Sequence, residues 1–135
     1  RVGNVVGAIV SFVGLVREQR LDPQTKDTTK TLRLEHYPGM TEESIRKILE
    51  KSEARWDLLA QRVIHRVGIL RPSDQIVLVL VASAHRGDAF SACEFVMDFL
   101  KTEAVFWKLE ETGDEGQWVN SRRDDFERLG KWSEQ

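Results

Sequence analysis

The run Ile76-Val77-Leu78-Val79-Leu80-Val81-Ala82 constrains this chain more than any other stretch. It has the length of a strand and no polar face, so it predicts a strand buried within a sheet. The run stops at Ser83-Ala84-His85-Arg86-Gly87-Asp88. Asp88 is a residue type that caps helix N-termini, and Ala89, Cys93, Val96, Met97 and Leu100 follow at the spacing of one buried helical face. His85 and Arg86 therefore fall where a strand hands over to a helix. Backbone N–H groups at a helix start attract anions, and an imidazole and a guanidinium beside them predict an anion pocket. A cap or a surface salt bridge is the alternative use of the same two side chains. Two lysines follow, Lys101 at the end of that helix and Lys108 in Phe106-Trp107-Lys108.

The 135 residues, 41% hydrophobic and 31% charged, predict one α+β domain over residues 1–121 and a charged C-terminal tail over 122–135. No run approaches the roughly 20 apolar residues that span a bilayer, and no leader-like segment is recognisable, so the expected location is cytoplasmic. A single cysteine, Cys93, leaves no internal disulfide and no multi-cysteine metal site. A net charge of −2 and a pI near 6.0 argue against a general nucleic-acid or membrane binder. Any positive site must be local.

In chain order, Val5 to Val16 predicts a first strand, with Gly7 and Gly14 marking a bulge or a close backbone approach. It delivers Arg17 to its end. Glu18 to Lys30 is polar and predicts a mobile surface loop. Thr31 to Tyr37 alternates and predicts a second strand, antiparallel to the first. Thr41 is expected to cap a helix whose apolar stripe runs through Ile45, Ile48, Leu49, Trp56, Leu59 and Ala60. Arg62 to Leu70 predicts a third strand, and Arg71-Pro72-Ser73-Asp74 a turn short enough for a hairpin into the central strand. Val105 to Glu111 and Gln117 to Ser121 predict two more strands. Phe126, Leu129 and Trp132 are isolated apolar residues in the tail, which is expected to become ordered only against a partner surface. The order β-β-α-β-β-α-β-β gives a largely antiparallel sheet with two main helices.

His36 and His65 lie in strand patterns and serve as pairing or surface residues. Cys93 sits on the apolar stripe with no suitably spaced histidine, which suits a small buried hydrophobe and no thiol chemistry. Lys101 alone would be a cation complementing its helix terminus, and Lys108 and Arg17 alone would be surface residues. The residues by themselves lead to an anion-binding α+β domain.

Taken together, Gly7-Ala8-Ile9-Val10-Ser11-Phe12-Val13-Gly14-Leu15-Val16-Arg17, His85-Arg86 with Ala89-Phe90, Asp98-Phe99-Leu100-Lys101 and Phe106-Trp107-Lys108 resemble the large catalytic subunit of molybdopterin synthase, the MoaE family. Two details depart from that pattern. Thr102-Glu103-Ala104-Val105 lacks a proline common before the Trp-Lys pair, and Leu109 stands where a second basic residue is usual. The resemblance implies an α/β-hammerhead fold and a sulfurtransferase that converts cyclic pyranopterin monophosphate to molybdopterin. The sulfur donor it implies is a small ubiquitin-like subunit ending in a Gly-Gly thiocarboxylate. It implies a homodimer, a 2:2 complex with that subunit, and no metal or organic cofactor. Carried onto this chain, it assigns catalysis to Lys101 and Lys108 and substrate binding to Arg17, His85 and Arg86, with Phe12, Leu15, Val16, Leu109 and Glu110 around them. Arginines grip phosphate bidentately, and preorganised lysines stabilise the negative charge that develops during sulfur transfer. The same fold could instead serve as a non-catalytic module that binds a phosphate ligand or a ubiquitin-like tail.

Overall fold

Strand β5 (Gln75–Ser83) takes the place expected for the apolar run. Its residues Val77, Val79, Val81 and Ser83 are buried, while Ile76, Leu78, Leu80 and Ala82 on the opposite face are half-covered. The computed structural model describes residues 3–17, 31–104, 106–112, 115–118, 123–130 and 132–133, and for 3, 107–112, 115–118 and 123–126 the backbone alone. The expected loop from Glu18 to Lys30 and the end of the strand expected up to Ser121 lie outside the described residues. No helix among them is long and apolar enough to cross a membrane.

β5 pairs antiparallel on both sides, with β1 (Ala8–Leu15) and β3 (Leu58–His65), in a sheet of order β1-β5-β3. Both glycines of the first strand have the expected role. A Cβ on Gly7 would lie 2.0 Å from the Ala84 carbonyl oxygen, and the register shifts between Gly14 and Leu15. A second antiparallel sheet has the order β4 (Gly68–Leu70), β2 (Thr31–His36), β6 (Phe106–Thr112), β7 (Glu115–Trp118). The expected pairing of β2 with β1 is therefore wrong. β2 pairs with β4 and β6, because Leu34 is buried against Val16 and Leu70 in a small core of its own, with Phe106 packed alongside.

Three further expectations are corrected. The first helix, α1 (Met40–Arg55), ends before Leu59 and Ala60, because Trp56 is extended at φ −130° and ψ 153° and the chain enters β3 two residues later. The expected strand from Arg62 to Leu70 is two strands in different sheets, divided where Gly68 turns the chain at φ +95°. The turn from Arg71 to Asp74 exists, with the Arg71 N–H donating to the Asp74 carboxylate at 2.8 Å. It joins β4 to β5 across two sheets and makes no hairpin. Capping differs by a residue or more in both helices. Thr41 lies inside the first turn of α1 and its hydroxyl accepts from the Tyr37 N–H at 2.9 Å. His85 is the cap residue of α2 (Arg86–Thr102), which puts Asp88 in the first turn.

α2 lays the expected face on the sheet: Ala89, Cys93, Val96 and Leu100 are buried with Phe95 against Val79 and Val81. The tail also differs from expectation. Its described part forms α3 (Arg123–Gly130) and a turn at Trp132, packed on the same chain. Trp132 is 7% exposed and meets Trp56 and Phe95 edge-to-face, with centroids 5.7 and 5.3 Å apart. Its indole N–H donates to Asp98 at 2.7 Å, and the Arg128 Nε–H donates to the other Asp98 oxygen at 3.0 Å. Asp98, only 5% exposed, is thus a paired and hydrogen-bonded buried carboxylate, the form in which a buried charge is tolerated. The Arg55 guanidinium covers the three rings from 5.1 to 5.5 Å and donates to the Trp132 carbonyl at 3.0 Å. Trp132→Ala removes a ring from this cluster and one donor from Asp98. Urea unfolding should show a loss of about 3–5 kcal/mol.

Candidate active site

The three residues expected to anchor an anion, Arg17, His85 and Arg86, do not converge within one chain. In the β1/β5 ladder Leu15 lies opposite Gln75, and the next residue, Val16, donates its N–H to the Asp74 carbonyl at 2.9 Å. Arg17 therefore stands where β5 begins. His85 and Arg86 stand where β5 ends, two and three residues after Ser83. Nine strand residues at about 3.3 Å each separate the two groups by roughly 25–30 Å. All three side chains are exposed.

Lys101 belongs to the Arg17 end. Only Ala84 and His85 separate β5 from α2, so the helix runs back along the sheet for 17 residues, about 25 Å. β6 begins five residues after Lys101, and its first residue, Phe106, packs against the small core of Val16, Leu34 and Leu70, as does Ile76 near the start of β5. Lys108 follows in β6 opposite Leu34. Its side chain, with those of Leu109 and Glu110, lies outside the described residues. Two substrate-site expectations are altered. Val16 is buried in the second core with Leu34 and Leu70, and Leu15 is exposed just past the register shift that follows Gly14.

A cleft of about 470 Å³ runs along α2 beside β1, lined by Val10, Phe12, Phe90, Met97, Lys101 and Arg128 among others. The structure thus brings Phe12 and Lys101 together, as expected. Glu94, Asp98 and Arg128 also line it and were not anticipated. Glu94, Asp98 and Lys101 follow the spacing i, i+4, i+7, a second face of α2 legible in the sequence. Arg128, on α3, reaches Glu94 at 2.9 Å. Its hydrogen bond to Asp98 chiefly, with both carboxylate charges, holds the guanidinium above its usual pKa. Cys93 lies at the floor, where burial pushes its thiol up. Among the described residues no three His, Cys, Asp or Glu side chains are placed to hold a metal ion.

A family model described as MoaE protein matches residues 2–103. The chain belongs to the MoaE family. It is 52% identical to the molybdopterin synthase catalytic subunit of Ralstonia nicotianae over 127 residues, covering 94% of this chain and 70% of that protein. Among solved structures it resembles the molybdopterin biosynthesis MoaE protein from Burkholderia ambifaria, with a TM-score of 0.78, 46% identity, and coverage of 97% of this chain and 83% of that one. The fold is also shared, at 19% identity and a TM-score of 0.69, with a Helicobacter pylori protein-protein complex of subunits 1 and 2 of molybdopterin-converting factor. That match covers 87% of this chain and 75% of the other.

The position of Cys93 gives a direct check on thiol chemistry in a MoaE protein of this kind. A buried thiol with a raised pKa is a poor nucleophile. Iodoacetamide at neutral pH should label Cys93 at least about tenfold more slowly in the folded protein than in the urea-unfolded chain, read by mass spectrometry.

Proposed function

We propose that this chain is the catalytic subunit of a molybdopterin synthase, moving sulfur from the C-terminal thiocarboxylate of a small ubiquitin-like subunit onto cyclic pyranopterin monophosphate. The observation that carries the reading is the position of Lys101 on the rim of a peptide-sized cleft in a chain of this family. β1 is an edge strand of its sheet, with no second strand partner among the described residues. An extended C-terminal tail laid along that edge follows the cleft toward Lys101. Each sulfur transfer develops negative charge at the donor carbonyl, and a lysine fixed at the end of a helix stabilises it. Lys108 orients the donor or the substrate from the neighbouring strand, with Leu109 and Glu110 beside it. Phe12 provides an apolar wall. The small subunit is the implied counterpart of a subunit named catalytic, and the cytoplasm is the proposed site of action.

Arg17, His85 and Arg86 bind the cyclic phosphate, and the separation of these anchors makes the site composite. The sheet face away from the helices carries Ile9, Val13 and Ile64, 69%, 46% and 50% exposed, around Leu78 and Leu80. An apolar face of this kind calls for a covering surface. A two-fold axis crossing the strands near the middle of β5 covers it with a second copy. That axis sets the His85 and Arg86 end of β5 in one copy beside the Arg17 end in the other, the end toward which α2 carries Lys101. The dimer then holds two sites and binds two small subunits. The binding-module reading lacks a use for a lysine set at the inner rim of the cleft.

The direct test mixes the protein with a thiocarboxylated small subunit and cyclic pyranopterin monophosphate and measures dithiolene product. Lys101→Ala should lower turnover by about 10²-fold or more with partner affinity nearly unchanged, and activity within a few-fold of the parent would refute its role. Val13→Asp puts a charge into the proposed interface. Light scattering at micromolar concentration should change from dimer to monomer, with activity lost in parallel, whereas a fully active monomer would refute the shared site.

A further inference from the structure

The turn that presents His85 and Arg86 is held by one buried hydroxyl. Ser83, 1% exposed, is the last residue of β5 and pairs with Ala8 on one side and Leu58 on the other. By strand parity its side chain points to the helix side with Val77, Val79 and Val81. There its hydroxyl donates to the Asp57 carbonyl at 3.1 Å and accepts the His85 N–H at 3.3 Å. Asp57 belongs to the link between α1 and β3, so one oxygen ties that link to the cap residue of α2. From the other side the Gly7 N–H donates to the Ser83 carbonyl at 3.0 Å. Gly7 also comes so close to Ala84 that any Cβ would collide with its carbonyl oxygen.

We infer that Ser83 is a positioning residue for substrate, fixing through its hydroxyl the direction in which His85 and Arg86 leave the sheet. The inference rests on the reading of those two residues as phosphate anchors. Within the two-residue connection the Ser83 hydroxyl restrains the cap through its N–H, and the first helical turn holds the cap's carbonyl, which accepts from the Ala89 N–H at 3.4 Å. Strand pairing fixes Ser83 itself, and the helix is regular only from Arg86 onward. The hydroxyl acts between them. Losing it leaves the His85 N–H and the Asp57 carbonyl to find other partners, and small errors in anchor direction reduce bidentate grip.

Ser83→Ala in the full chain, assayed with the small subunit and cyclic pyranopterin monophosphate, should raise KM about tenfold. It should leave kcat at saturating substrate and small-subunit affinity within about twofold. A residue that acts only through the two anchors adds nothing once both are gone, so Ser83→Ala added to the double variant His85→Ala with Arg86→Ala should leave KM as it is in that double variant. Amide exchange at His85 should accelerate in Ser83→Ala, while the core strand amides keep their protection. An unchanged KM in Ser83→Ala beside a raised KM in Arg86→Ala overturns the inference and leaves the proposed function standing. A further rise in KM when Ser83→Ala is added to His85→Ala with Arg86→Ala also overturns it, since it shows Ser83 acting elsewhere. An unchanged KM in both variants removes the phosphate from this turn and overturns the anchor reading together with the inference. If Ser83→Ala does not fold, Ser83→Cys keeps the volume while weakening both hydrogen bonds, and is judged by the same outcomes.

Discussion

Everything in this molecule is measured from a strand that has no free edge. β5 exchanges backbone hydrogen bonds with β1 on one side and β3 on the other, and its helix-side residues Val77, Val79 and Val81 are sealed beneath α2. A strand so held cannot slip, because a shift of one residue would turn three buried valines to the opposite face. Its ends are therefore fixed points. Arg17 is referred to one of them and His85 to the other, and a rigid rod of nine residues keeps them apart. Within one protomer the two groups cannot meet.

The buried parts of the fold were the legible ones, for a physical reason. The valine-rich run and the stripe Ala89, Cys93, Val96, Leu100 identify themselves because burial on one face leaves its period in the sequence. Choice of neighbour leaves no such period. The alternation of Leu32 and Leu34 says which face of β2 is buried, and says nothing about β1 against β6 as partner. Leu59 and Ala60 fitted the helical stripe of α1 as well as the strand they occupy, and only the extended backbone at Trp56 decides between them. Trp132 was misjudged because its hydrogen-bond partner, Asp98, lies 34 residues earlier in the chain. Of the residues expected at a site, Phe12 and Lys101 line one cleft. The division of Arg17 from His85 and Arg86 was not seen, although the length of the apolar run already contained the distance.

Two kinds of support hold the cleft. Under its floor lies the apolar packing of α2 on the sheet. Along its rim, Arg128 bridges the carboxylates of Glu94 and Asp98, and Asp98 also accepts the Trp132 indole N–H. Exposed ion pairs of the Arg128–Glu94 kind contribute little to stability, about 0–1 kcal/mol. The buried contact at Asp98 matters more, since removing its donors would leave a carboxylate without compensation. The helix that carries Lys101 is thereby braced from the C-terminal side as well as by the sheet.

The pairing of β1 with β5 has a consequence for how the chain acquires its shape. Ala8 meets Ser83 and Val13 meets Leu78, so the first strand to be synthesised finds its ladder partner only after some 65 to 75 further residues. Closing a loop of that size is entropically costly and slows folding relative to local contacts. During translation Ile9, Val10, Phe12 and Val13 leave the ribosome as an unpaired β-prone segment, at about 5–20 residues per second for several seconds. In that interval the nascent chain presents to chaperones, or to another nascent chain, the apolar strand that later borders the cleft along α2.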